Sequence, residues 1–199
     1  MQSHIVRLTA RTAFLIAVLA AAPNARADEV EDAIQEGLAA YKSEDYSGAA
    51  SSLDYAAQLI RQKKGGELEQ VFPEPLDGWT ADDASSEGAA AAMFGGGVTA
   101  SRDYRRDDDS VSIQLVTDSP LLQGVMMMLS NPSFALADGG KLERINGQKG
   151  IVKYDEDNRS GDINLVVDNR VLVTVEGNGV DRDELIAYAS AVDFDKLSE

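Results

Sequence analysis

Residues 141–176 read KLERINGQKGIVKYDEDNRSGDINLVVDNRVLVTVE. Four short runs with period-two alternation follow one another here, each closed by a turn signal. Lys141 to Ile145 leads into Asn146-Gly147, a dipeptide favoured in two-residue hairpins because both positions tolerate positive φ. Gly150 to Tyr154 leads through the polar loop Asp155 to Gly161. Ile163, Leu165 and Val167 mark a third strand closed by Asp168-Asn169, and Val171 to Glu176 makes a fourth. Links this short join antiparallel neighbours, since a parallel pair needs a crossover of a dozen or more residues. The stretch therefore predicts an antiparallel meander.

Outward from the meander the same period continues. Val98 to Tyr104 forms one strand. Val111, Ile113 and Leu115 alternate with Ser112 and Gln114 in another, with Arg105 to Ser110 as a charged hairpin loop. Asp118-Ser119-Pro120 announces a helix, with Ser119 as cap and proline at the first helical position. That helix runs over LLQGVMMMLS to about Ser130, where Asn131-Pro132 ends it. A last helix opens at Asp181, with Glu184 three residues on as a capping box, and carries Leu185, Ile186, Tyr188 and Ala189. Residues 98–199 thus read as an α+β domain: an antiparallel sheet of about six strands covered mainly on one face by two helices. This order resembles the layered folds of the PsbP and Mog1 type at fold level. The stretches DNRVLVTVEG and AVDFDKL are similar to uncharacterised exported proteins of proteobacteria. Neither resemblance implies catalytic residues.

Upstream, residues 67–97 read as linker and loop. Phe72-Pro73-Glu74-Pro75 and Asp77-Gly78 are extended or turning chain, and Trp79, the single tryptophan, is expected to bury its ring at the start of the domain. Most of 82–97 (DDASSEGAAAAMFGGG) reads as loop, with Ala89 to Phe94 as a short helix or edge strand.

Residues 28–66 carry a different period. Val30, Ala33, Ile34, Gly37, Leu38 and Tyr41 form the stripe of an amphipathic helix, and Asp28, Glu29, Glu31 and Asp32 put negative charge at its start, where the helix dipole favours it. After the turn Ser43-Glu44-Asp45, a second stripe follows at Tyr46, Ala49, Ala50, Leu53, Ala57 and Ile60, with Gly65-Gly66 able to end it. Two such stripes on a short turn predict an antiparallel helical hairpin. Gly37, Tyr41, Tyr46, Ala49, Leu53 and Ala56 resemble the small and large positions of one tetratricopeptide repeat, although Arg61 stands where that repeat's proline belongs. The resemblance implies an interaction role at most. Such repeats bury their faces by stacking, so a lone hairpin must lean on its own chain or on a partner.

The first 27 residues carry the parts of a secretory signal: Arg7 and Arg11, the apolar run Thr12 to Ala22, Pro23, and the small-x-small site Ala25-Arg26-Ala27. Cleavage after Ala27 and a periplasmic product are expected, with no later segment apolar enough to span a membrane. That leader holds three of the 18 basic residues and none of the 34 acidic ones, leaving 172 residues with 15 cations against 34 carboxylates, a net charge of −19. So acidic a surface disfavours nucleic acid and suits solubility, cations or a basic protein partner.

There is no cysteine, and the only histidine is His4, inside the leader. Histidine-based triads, thiol nucleophiles and the usual zinc sites are therefore excluded from the exported part. No S-x-x-K or G-x-S-x-G occurs, and no carboxylate pair stands out. The sequence names no catalytic residue and implies no cofactor or metal centre. Weak divalent-cation binding is left to the acidic loops Asp107–Asp109 and Asp155–Asp162; the latter fails the EF-hand pattern, with Arg159, Ser160 and Val166 where ligand, glycine and glutamate belong. A non-enzymatic binding or interaction protein is the leading reading, with a carboxylate- or Ser/Lys-dependent hydrolase and an accessory subunit of an envelope complex as alternatives. The expected binding residues are Leu122, Val125, Met126, Met127 and Met128 of the methionine-rich helix, with Trp79 nearby. A helix apolar all round is normally covered on both sides, so it is expected between the sheet and the hairpin. If partly exposed, it would take an apolar ligand or a partner helix.

Overall fold

The computed structural model describes residues 28–87, 97–118, 120–137 and 139–198. The expected leader, the expected Ala89 to Phe94 element and the expected Ser119 cap lie outside the described residues.

The meander is present. Strands β5 (Lys141–Ile145), β6 (Gln148–Asp155), β7 (Ser160–Val167) and β8 (Val171–Asn178) pair antiparallel in sequence order. Asn146 and Gly147 turn the first hairpin with φ of 44° and 84°, and Asp168 and Asn169 turn the last with 49° and 54°; each is a pair of positive φ values, which matches the strand twist. The hairpin β3 (Thr99–Arg106) and β4 (Asp109–Thr117) docks on the meander through β4 and β8. Two short strands, β1 (Thr80–Ala81) and β2 (Ser85–Glu87), both pair with β3. The order is β1-β3-β4-β8-β7-β6-β5 with β2 also on β3, eight strands against the six expected. The two extra strands come from the stretch expected to be linker; they are too short to show a period.

Pairing register sorts the side chains into two faces. On one face, Ile113, Val175, Ile163 and Val152 form a row, and Leu115, Val173 and Leu165 form the next. All seven are buried in the main core. Helix α5 (Arg182–Ala191) covers them with Leu185, Tyr188 and Ala189, and the short α6 (Phe194–Leu197) adds Phe194. The opposite face is polar along Ser112, Glu176, Asp162 and Lys153, and turns apolar toward the other end, at Val116, Leu172 and Val166, with Ile151 of β6 also buried on it. Helix α3 (Leu121–Ser130) covers that end; α4 (Pro132–Ala137) follows with proline opening a new helix. The helices therefore lie on both faces, not mainly on one. The reason is the local loss of alternation: Val116, Val166 and Leu172 sit beside Leu115, Val167 and Val173, which makes the strand ends apolar on both sides.

The hairpin is α1 (Glu29–Lys42) and α2 (Tyr46–Glu69). Asp28 caps α1 by accepting from the Val30 N–H at 3.2 Å, and Asp45 caps α2 by accepting from Gly48 at 2.9 Å. Helix α2 does not end at Gly65-Gly66 but runs through them. A Cβ at Gly65 would lie 2.5 Å from Ser86 Oγ and 2.8 Å from Ser86 Cβ, so this glycine lets the helix approach β2 closely. From there Leu68, Val71, Phe72 and Trp79 all enter the main core. The Pro73 carbonyl accepts from Tyr104 Oη at 2.8 Å and Arg102 Nη1 at 3.0 Å, and the Leu76 N–H donates to Tyr188 Oη at 3.3 Å. The connection expected as linker is thus bound tightly into the α+β core.

Candidate functional site

Of the residues expected to bind, Leu122 is 5% exposed and sits, with Val125, Met126 and Leu129, against Val116, Val166 and Leu172. Met127 and Met128 point away and are 64% and 38% exposed. Helix α3 thus packs on β4, β6, β7, β8 and α4, whereas α2 leans on β2 and β3. The expected sandwich of the methionine helix between sheet and hairpin is therefore absent, because the sheet's second face carries its own apolar end for α3 to cover. A groove of about 550 Å³ runs beside Met126 and Leu129, but Arg144, Lys149 and Asp168 line it as well.

Trp79 lies in the core on the other face of the sheet and is not near α3. Its ring meets Tyr188 edge-on at 5.3 Å between centroids, and the Arg106 guanidinium stacks over it at 4.6 Å. Arg106 in turn grips Glu184 through two bonds of 2.5 and 2.9 Å and reaches Asp109 at 2.9 Å. The Arg106 hydrogen bond is the main reason the Glu184 carboxyl titrates below its ordinary range. The indole N–H is buried near the Glu184 carboxylate, which it helps to hold low, without reaching full hydrogen-bond geometry. This cluster ties the connection, β3 and α5 together, and it leaves Trp79 no face for a ligand. Tyr104, packed at 4.6 Å from Tyr188, has its phenol pushed up by burial.

Asp109 of the first acidic loop is held by Arg106, and the loop that starts at Asp155 closes on itself. Asp155 accepts from the Asp157 and Asn158 N–H groups at 2.9 and 3.2 Å and from Asn158 Nδ2 at 2.6 Å, a self-contained turn. Among the described residues no group of three or more acidic side chains is arranged to hold a metal, and no helix is long and apolar enough to cross a membrane.

Among the described residues, most of the exposed large apolar side chains lie on the hairpin. Its two helices meet through small residues: Ala33 and Gly37 on α1 and Ala49 and Ala56 on α2 are buried. A Cβ at Gly37 would fall 2.9 Å from Leu53 Cγ. Contact through small residues brings the helix axes close and leaves the large side chains to one side. At 100° per residue, Ile34, Leu38 and Tyr41 project from α1 on the same side as Tyr46, Leu53 and Ile60 from α2. The Tyr41 and Tyr46 rings meet at the tip, 5.9 Å apart and edge to face. These six side chains are each between 43% and 63% exposed. Six large side chains side by side at about half exposure form a contiguous apolar surface of the kind that marks an interaction site. The sequence stripes contain all six, but periodicity alone assigns them to the contact between the helices. The residue sizes give the contrary signal: alanines and glycine mark the contact line, and the large residues stand beside it.

Comparison with protein-family models, with curated proteins and with solved structures finds no match for this chain.

Proposed function

We propose that this chain is an exported, non-enzymatic interaction protein that holds out its helical hairpin as a docking element, and that the hairpin face takes an amphipathic helix of a partner protein. The observation that carries the reading is the single-sided row Ile34, Leu38, Tyr41, Tyr46, Leu53 and Ile60, half exposed on two helices whose own contact is already complete. A groove between two helices is a natural bed for a third, with aromatic anchors at one end. The leader motif supports a periplasmic setting. The absence of histidine and cysteine beyond residue 27 supports a role without nucleophilic catalysis. Net charge of −19 beyond the leader favours a partner helix with basic flanks, which the long-range field would steer.

The test is site-specific photocrosslinking in cells that export the protein. A crosslinker at Leu38 is expected to give one adduct of defined mass. The adduct should disappear when Tyr41 and Tyr46 are both changed to Asp, while the melting temperature holds. A crosslinker at Met127 should not give it. The same adduct from both positions, or its survival in the double variant, would refute the reading.

A further inference from the structure

At the root of the hairpin, where α1 and α2 meet the edge of the α+β core, lies a second groove of about 550 Å³. That volume falls within the range of small-molecule sites, about 300–1,000 Å³. Its floor is apolar, formed by Leu68, Val71 and Val171, with Val30, Ile60 and Leu197 on its walls. Its rim holds four cations, Lys63, Lys64, Arg170 and Lys196, beside two carboxylates, Asp28 and Glu67. Three of the four cations are answered: Lys63 by Asp28, Lys64 by Asp118 at 2.5 Å and Lys196 by Asp193 at 3.2 Å. Arg170 makes no ion pair among the described residues. Its charge is felt by Asp118, whose carboxyl is held low first by the Lys64 hydrogen bond and only later by Arg170. The Arg170 backbone is fixed at both groups, its N–H donating to Val167 at 3.0 Å and its carbonyl accepting from Asp118 at 3.1 Å. A planar guanidinium on an ordered turn, beside an apolar trough, is arranged to take a carboxylate or phosphate in a two-pronged pair.

We propose that this groove binds a single-chain anionic amphiphile, with the alkyl chain on the Leu68, Val71 and Val171 floor and the anionic head on Arg170. Charge complementarity selects this occupant: a neutral apolar ligand leaves Arg170 without a partner, and a hydrophilic anion leaves the floor wet. The site lies at the base of the hairpin and shares only Ile60 with the helix-docking row, so it does not rest on that reading.

The experiment is a fluorescence titration of the purified protein with cis-parinaric acid below its aggregation range, beside the corresponding alcohol. Saturable one-to-one binding of the acid is expected, at least tenfold tighter than the alcohol. Arg170→Glu should weaken it tenfold or more. Arg170 is exposed, so that variant should melt with the wild type; Val30→Gln, which removes an apolar wall lying outside the docking row, should likewise weaken binding of the acid. Displacement by oleate against displacement by a lysophosphatidic acid distinguishes carboxylate from phosphate heads, and either supports the site. Absence of saturable binding, equal binding of the alcohol, an unchanged affinity in Arg170→Glu, or sedimentation with anionic vesicles without binding of the monomeric acid would each overturn it.

Discussion

Glycine in the middle of an exposed helix should be improved by alanine, by about 1 kcal/mol. Gly65 and Gly66 are neighbours in α2 and share that helical gain, yet their surroundings differ. A Cβ at Gly66 meets nothing within 4 Å, whereas one at Gly65 falls 2.5 Å from Ser86 Oγ and 2.8 Å from Ser86 Cβ. The hydroxyl can rotate away, but the Ser86 Cβ is fixed to the backbone of β2, so the strand or the helix must shift. Overpacking of this kind costs about 1–3 kcal/mol. Because the propensity gain cancels between the two variants, Gly65→Ala should be less stable than Gly66→Ala by about 1–3 kcal/mol. At ~2–4 °C per kcal/mol for a chain of this size, the melting temperatures should separate by about 2–12 °C. Gly66→Ala should melt at or above the wild type. Adding Ser86→Gly to Gly65→Ala removes the atoms in conflict, and a double-mutant cycle should return most of the difference as coupling. The assay is urea and thermal unfolding followed by far-ultraviolet circular dichroism. Equal stability of the two alanine variants, with no coupling to Ser86, would refute the close approach of α2 to β2 and with it the fixed stance of the hairpin.

Helix α3 should show two kinds of residue. Leu122→Ala, at a position 5% exposed, should destabilise by about 2–3 kcal/mol in urea denaturation, while Met127→Lys, at 64% exposure, should change stability by less than about 0.5 kcal/mol. The Arg106–Glu184 pair sets an acid limb. Glu184 titrates in the folded protein below its ordinary value of 4.5, chiefly through the Arg106 hydrogen bond, so its contribution is complete above pH 4.5 and is lost as pH falls through the lowered folded value. Glu184→Gln should therefore be less stable than the wild type at pH 6–7, and the gap in denaturation midpoint should close on acidification below pH 4.5. A gap independent of pH would place the cost of that substitution elsewhere.

Much of the fold is legible in the chain because its strands are half-buried and alternate cleanly. Ile163, Leu165 and Val167 stand on one side of β7, and the Asn146-Gly147 turn fixes both hairpin type and register. What fails is local. β1 and β2, of two and three residues, carry no period of their own and exist because β3 offers an unpaired edge. Gly65-Gly66 reads as a stop because propensity knows nothing of Ser86. The candidate site is half legible: the stripes of α1 and α2 list its residues, but they do not tell which members meet each other and which face outward.

The sequence by itself determined the elements and their pairing partners in the meander, because alternation and turn chemistry are local properties of the chain. It also determined what chemistry residues 28–199 lack, since histidine and cysteine are simply missing there. Tertiary structure decided where the apolar surplus went. The double-sided apolar ends of β4, β7 and β8 drew α3 to the second face of the sheet, away from the hairpin. Close contact through Ala33, Gly37, Ala49 and Ala56 then turned six large side chains outward. Which surface of an amphipathic element remains uncovered depends on what else the folded chain can bring to it, and no window of sequence contains that information.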